Sequence, residues 1–233
     1  MRSSQRGRPV SWGMIALVLF LGALTALISA YVEIRYSFNL PRLAQQDPSF
    51  VDRFGIWLQF INNFSASAIE ELAKYLVAVI CLAESRHVRK LSDMVVFMIF
   101  IGLGFSLVED AIFFLDPQTD APYRLLSFYV HSGTSAIMGY SLGRFKFHLT
   151  GYGELFRAVL GAMALHFAYN AAASLQDPPY AFYLTVMITI YISLQIFILF
   201  RRAISEEYVL EVRAKPASPT SRLLNLTKEK SPA

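Results

Sequence analysis

Charge is what this sequence has little of. Only 16% of its 233 residues are Asp, Glu, Lys or Arg, while 55% are hydrophobic. Soluble domains carry about a quarter charged residues, so a water-filled surface all round is excluded. The mean hydropathy of +0.44 says the same. Cysteine is almost absent: Cys81 alone cannot build an intrachain disulfide framework. It falls in an apolar run, where a small buried hydrophobe is expected. The net charge of +4 is modest, and no basic stripe is interleaved with aromatics, so nucleic acid is not a predicted partner. The chain also lacks an internal repeat, a cofactor-type glycine-rich loop beside a strand, and a second soluble domain.

What is there is apolar sequence in long blocks. A membrane-crossing helix needs about 20 mainly apolar residues at about 1.5 Å rise each. Six blocks qualify: Met14–Ile34, Ile61–Ala83, Met94–Leu115, Leu125–Gly143, Leu155–Leu175 and Ala181–Phe200. Breaks between them fall at Pro41 and Pro48, Asp116-Pro117, Pro122, Gly151 with Gly153, and Asp177-Pro178-Pro179. The predicted fold is therefore all-α, a polytopic bundle of about six transmembrane helices. Residues 1–202 form the membrane domain, and 203–233 a cytoplasmic tail that is partly disordered, being rich in Pro, Ser, Lys and Thr from about Ala214. The first block is longer than a signal-peptide core and reads as a retained anchor. Ahead of the second block, Phe54–Phe60 reads as an interfacial lead-in, with Trp57 at headgroup level. The first loop, Arg35 to Phe60, is the candidate gate. Gly139 with Gly143, and Ala164, Ala168 and Ala172, have helix-contact spacing.

Basic residues set the orientation. Arg2, Arg6 and Arg8, then Arg86, Arg89 and Lys90, then Arg144 and Lys146, then Arg201 and Arg202 fall on one side. The opposite side has few, Arg35, Arg42 and Arg53 of the first loop excepted. Both termini are thus expected in the cytoplasm.

Ionisable residues inside spans cost several kcal/mol each, so each one needs a partner or a task. The second span holds A-I-E-E-L-A-K, giving Glu70, Glu71 and Lys74. The third holds G-F-S-L-V-E-D-A, with Gly104, Glu109 and Asp110. The fourth opens Y-V-H-S-G-T, with His131, and the fifth has H-F-A-Y-N, with His166 and Asn170. Lys74 follows Glu70 by four residues and Glu71 by three, so it can pair with either. His166 and Asn170 share a helix face, whereas the adjacent glutamates point roughly 100° apart. Counted along alternating helices, all these groups reach one level, in the outer leaflet. Singly each has an ordinary reading: a neutralised pair, a carbonyl-bonded histidine, an interhelical amide, a solvated lip at Glu109-Asp110. Tyr75, Tyr169 and the stretch near Phe113 read as core or lipid contact. Together the set exceeds what structure requires.

Those residues resemble the PrsW family of intramembrane proteases, grouped with the CAAX-processing and bacteriocin-processing membrane proteases. The resemblance rests on E-E-x-x-K at Glu70, Glu71 and Lys74, and on G-F-x-x-x-E from Gly104 to Glu109. It continues with a histidine opening the next span at His131, and H-x-x-x-N at His166 and Asn170. It covers about Ile69 to Asn170. Asp110 departs from the Asn expected there. The resemblance implies an endopeptidase of the bacterial plasma (inner) membrane. Its substrate would be a membrane-anchored protein cut near the extracytoplasmic side, such as an anti-sigma factor at site 1. The same clan contains a non-catalytic scaffold subunit.

For hydrolysis, the chemistry needs a base, an acid and oxyanion donors. Glu71 or Glu70 is the candidate base, and the other would hold Lys74 or His131. His166 and Asn170 are candidate donors, His131 polarises water or carbonyl, and Glu109 orients an imidazole. A metal variant uses His131, His166 and Glu71 around zinc. The glutamate reading is preferred, since there is no H-E-x-x-H and the ligands would come from three helices. A proton-coupled transporter would also bury such groups, but it would be expected to show an inverted repeat. A catalytically silent scaffold is the remaining alternative.

Overall fold

The computed structural model describes residues 10–114, 124–175 and 177–214. Those residues form an all-α bundle of seven helices: α1 (Trp12–Tyr36), α2 (Leu40–Gln46), α3 (Pro48–Leu82), α4 (Leu91–Phe114), α5 (Arg124–Lys146), α6 (Tyr152–Ala173) and α7 (Pro178–Ala214). Six are long and correspond to the six apolar blocks. α1, α4 and α7 are apolar enough to cross a membrane on composition alone, which makes this a helical membrane bundle. α3, α5 and α6 carry most of the polar groups.

The helix starts are encoded locally. Ser11 Oγ accepts from Met14 N (3.3 Å), Asn39 Oδ1 from Arg42 N (2.9 Å), and Asp47 Oδ1 from Phe50 N (3.0 Å). These are N-cap bonds that satisfy otherwise orphaned amide donors. Pro41 and Pro48 therefore do not break structure. Each sits in a first helical turn, where no N–H partner is lost. The expected first loop is accordingly helical: α2 occupies its middle, and Phe54–Phe60 is continuous with α3. At 35 residues, α3 is about 52 Å long, well beyond one bilayer crossing.

α4 is the central helix. In its most apolar stretch 67% is buried, against 28% in α1 and 22% in α7; a helix apolar all round belongs inside. α1 lies directly on its backbone. A Cβ on Gly22 would sit 2.1 Å from Ile101 O, and one on Gly104 2.0 Å from Leu19 O. Only glycine permits that approach. The Gly139–Gly143 stripe packs as its spacing suggests, against Met98 and Met94. The alanine stripe of α6 does so only in part, since Ala164 is exposed and Ala172 buried. Cys81 is also exposed, against expectation. In a bilayer an apolar side chain loses nothing by facing outward, so apolarity does not imply burial.

At the basic end, Lys146 Nζ donates to Ala83 O (2.7 Å) and Ser85 O (2.9 Å), capping the last turn of α3. α7 does not end near Phe200 but continues to Ala214. Ala203 is buried, Tyr140 OH donates to Glu206 Oε1 (2.7 Å), and Ser92 N donates to Glu207 Oε1. The start of the expected tail is thus part of the bundle, and the remainder lies outside the described residues.

Candidate functional site

At the opposite end, α3, α4, α5 and α6 bring their ionisable residues together. Glu70, Glu71 and Lys74 all fall on the buried face of α3, and His131 and His166 are 1% and 2% exposed. Glu71 is the hub. Its Oε1 accepts from Lys74 Nζ at 2.6 Å, from Thr134 Oγ1 at 3.0 Å and from His166 Nδ1 at 2.8 Å. Of the two pairings open to Lys74, the shorter turn to Glu71 is the one formed. Lys74 Nζ also donates to His131 Nδ1 (3.0 Å) and lies 4.5 Å from the Phe105 ring centroid. A buried ammonium needs such partners, because desolvation otherwise outweighs its attraction to one carboxylate.

Both imidazoles are held on one side by a carboxylate. Glu109 Oε2 is 2.5 Å from His131 Nε2, and Glu71 Oε1 holds His166 on Nδ1 at 2.8 Å. Those partners fix the tautomers: His131 Nδ1 and His166 Nε2 are left as acceptors. Both turn toward Glu70 Oε2, at 3.7 and 3.8 Å. Glu70 is 4% exposed, and its Oε2 has no hydrogen-bond partner among the described residues.

Three lone-pair donors therefore converge. Ligand atoms of Glu70, His131 and His166 lie within 4.8 Å of one another. Ligands about 2.0–2.1 Å from a tetrahedral zinc stand roughly 3.4 Å apart, so the trio fits a cation after small adjustment. The carboxylates behind the imidazoles complete the pattern usual for metal-binding histidine. The glutamate in this trio is Glu70, whereas Glu71 was the sequence candidate. Glu71 faces the far side of His166 and is engaged with Lys74.

The Asn170 amide meets α3 one turn before the glutamates. Its Nδ2 donates to Ser67 Oγ (3.1 Å), and Asn63 Nδ2 donates to Ser174 Oγ (3.0 Å), tying α6 to α3. Asp110 accepts from Ser106 Oγ (3.0 Å) and Ser127 Oγ (2.8 Å), joining α4 to α5. Sequence reasoning missed Thr134, although it follows His131 by three residues on the same face. It also missed Glu33 of α1, which lies in the electrostatic neighbourhood of Glu70, Lys74 and Glu109. Its only signal was a carboxylate one residue inside the expected end of the first span.

A family model described as "PrsW family intramembrane metalloprotease" matches residues 10–198. That stretch runs from the start of α1 through most of α7. No curated protein and no solved structure matches the chain.

Proposed function

Because this chain belongs to the PrsW family of intramembrane metalloproteases, we propose that it hydrolyses peptide bonds of membrane-anchored proteins, with Glu70, His131 and His166 holding a divalent metal ion such as zinc. The observation that carries this reading is the convergence of Glu70 Oε2 and two carboxylate-backed imidazole nitrogens in one buried place. A metal ion held there would supply Lewis-acid polarisation of water and of the scissile carbonyl. Glu109 and Glu71 hold the imidazole rings in the required orientation and tautomer. Lys74 neutralises Glu71, so one face of the site carries a fixed pair and the other an open carboxylate. Thr134 keeps the Glu71 carboxylate from rotating away.

One contact favours a second reading. Lys74 Nζ donates to His131 Nδ1, a nitrogen the metal would need. Without metal, Glu70 Oε2 serves as general base for water, and His166, once it takes up a proton at Nε2, as donor to the oxyanion. Metal analysis of protein purified without added zinc separates the two. Stoichiometric metal together with loss of cleavage on chelation supports the metal reading. Metal-free protein that cleaves fully, and whose Glu70→Gln variant does not, supports the other. Activity in Glu70→Gln and Glu71→Gln alike sinks both.

Basic residues at the α3–α4 and α5–α6 turns and on α7 support a cytoplasmic position for that end; in this reading both termini lie there and the catalytic end opens extracytoplasmically. An anti-sigma factor, cut at site 1, is the substrate suggested by that sidedness and the family resemblance. Comparing membrane proteomes of wild-type and Glu71→Gln cells tests it: a single-pass protein losing its extracytoplasmic cleavage is the expected result.

A further inference from the structure

α4 and α5 run antiparallel, and their contacts keep one register toward the site. Gly143 meets Met94, Gly139 meets Met98, and Gly102 meets the carbonyl of His131 and the hydroxyl of Ser135. Each step of about four residues outward on α4 is matched by about four backward on α5, one turn of each helix. The next contact outward is polar. Ser106 Oγ donates to Asp110 Oδ2 (3.0 Å), and Ser127 Oγ donates to Asp110 Oδ1 (2.8 Å). The two hydroxyls, 0% and 2% exposed, stand 3.3 Å apart. A hydroxyl carries one proton, so in this arrangement both are spent on the carboxylate, one at each oxygen.

Of these two bonds, the one from Ser127 crosses between helices. It starts in the first turn of α5, where backbone amides lack intrahelical partners and a helix is most prone to fray. Ser127 precedes His131 by four residues on the same face, and Asp110 directly follows Glu109. The tie thus lies about one turn outward of the contact between His131 Nε2 and Glu109 Oε2, at 2.5 Å. A slip of α5 by one residue along α4 would carry His131 about 1.5 Å, enough to break that contact.

We infer that Asp110 is a positioning residue for His131: its bond to Ser127 fixes the outer register of α4 and α5, so that Glu109 reaches Nε2 and Nδ1 faces Glu70. This rests on the reading of His131 as a metal ligand given above. Asn, expected at 110 from the family resemblance, can keep the crossing bond. Its Nδ2 would donate to Ser127, whose own proton would turn to Ser106 Oγ.

The test uses full-length protein in detergent, with zinc as the probe of the site and a membrane-anchored reporter peptide for cleavage. Ser127→Ala and Asp110→Ala both cut the crossing bond. Each should lower zinc affinity and kcat about 10-fold, the lower end for loss of a group that orients a ligand, with KM unchanged. The double variant should lose no more than either single one, since all three remove the same bond. Asp110→Asn should recover most of the loss. Ser106→Ala leaves the crossing bond in place, and Ser67→Ala removes an interhelical bond of the same kind between α3 and α6; both should keep wild-type kcat. In metal-free protein the NMR nitrogen resonance of His131 Nε2 should shift in Ser127→Ala and Asp110→Ala and hold in Ser106→Ala. Wild-type zinc affinity with an unmoved resonance in Ser127→Ala overturns the inference, and so does an equal loss in Ser106→Ala. If Asp110→Ala fails to fold, Ser127→Ala decides. A wild type that neither cleaves nor binds zinc overturns the function proposed above, and the resonance then decides the role of Asp110 by itself.

Discussion

Nδ1 of His166 lies 2.8 Å from Oε1 of Glu71, so the opposite nitrogen of that ring is the one turned to Glu70. Glu71 thus reaches the site through another residue, while Glu70 faces it directly. The two adjacent glutamates divide the work between support and chemistry.

That division predicts different failures. Glu71→Gln leaves Lys74 buried without its carboxylate, and removing one member of a buried ion pair costs about 3–5 kcal/mol. The variant should unfold at clearly lower temperature in detergent and lose cleavage. Adding Lys74→Met removes the orphaned charge and should restore most of the stability without restoring activity. Glu70→Gln should keep wild-type stability and lose activity. Thermal unfolding beside reporter cleavage checks all three. A double variant that regains activity would contradict the role given to Glu71.

Metal binding should follow the convergence. His131→Ala, His166→Ala and Glu70→Ala are each expected to abolish tight zinc binding. Glu109→Gln should weaken it by about 10–100-fold, because it orients His131 without touching the ion. Titration of chelator-treated protein with zinc reads this directly. Equal loss in Glu109→Gln and His131→Ala would place Glu109 among the ligands.

Much of this cluster is legible in the sequence for a physical reason. Charge inside an apolar block is rare because it is costly, so Glu70, Glu71, Lys74, His131 and His166 stand out unaided, and helical spacing gives their faces. Spacing does not say which neighbouring helix a face meets. For that reason Asn170 was expected among the oxyanion donors and is found donating to Ser67. Glu33 sits near a span end, where a carboxylate is ordinary, so nothing local marks it. Pro41 and Pro48 hid α2 and the first half of α3, because proline punctuates at a helix start as well as at a break. The expected burial of Cys81 failed because apolar side chains in a bilayer can face lipid.

Asn170 provides a discriminating pair. If its amide serves as a tie, Asn170→Ala and Ser67→Ala should each cost about 0.6 kcal/mol, the typical value for an interhelical hydrogen bond in membranes. Their kcat values should then stay near wild type. A drop on the order of 10²–10³-fold in Asn170→Ala alone would mark it as an oxyanion donor after all.

The glycines of α4 offer a test of how tightly the site is framed. A Cβ on Gly102 would fall 2.3 Å from His131 O and 2.8 Å from Ser135 Oγ. Neither backbone can yield without moving α5, and His131 travels with it. Its contacts to Lys74 at 3.0 Å and Glu109 at 2.5 Å leave little slack for such a shift. Misplacement of about 1 Å can cost 10²-fold in rate. Gly102→Ala should therefore depress cleavage by about that factor while the protein stays folded. Gly161 of α6 has nothing within 4 Å of its would-be Cβ. Gly161→Ala should leave activity unchanged and raise stability by up to about 1 kcal/mol through helix propensity. Comparing the two isolates the geometry of His131 from the general effect of removing a glycine. Equal activity in both would show that α5 can retreat without disturbing the cluster.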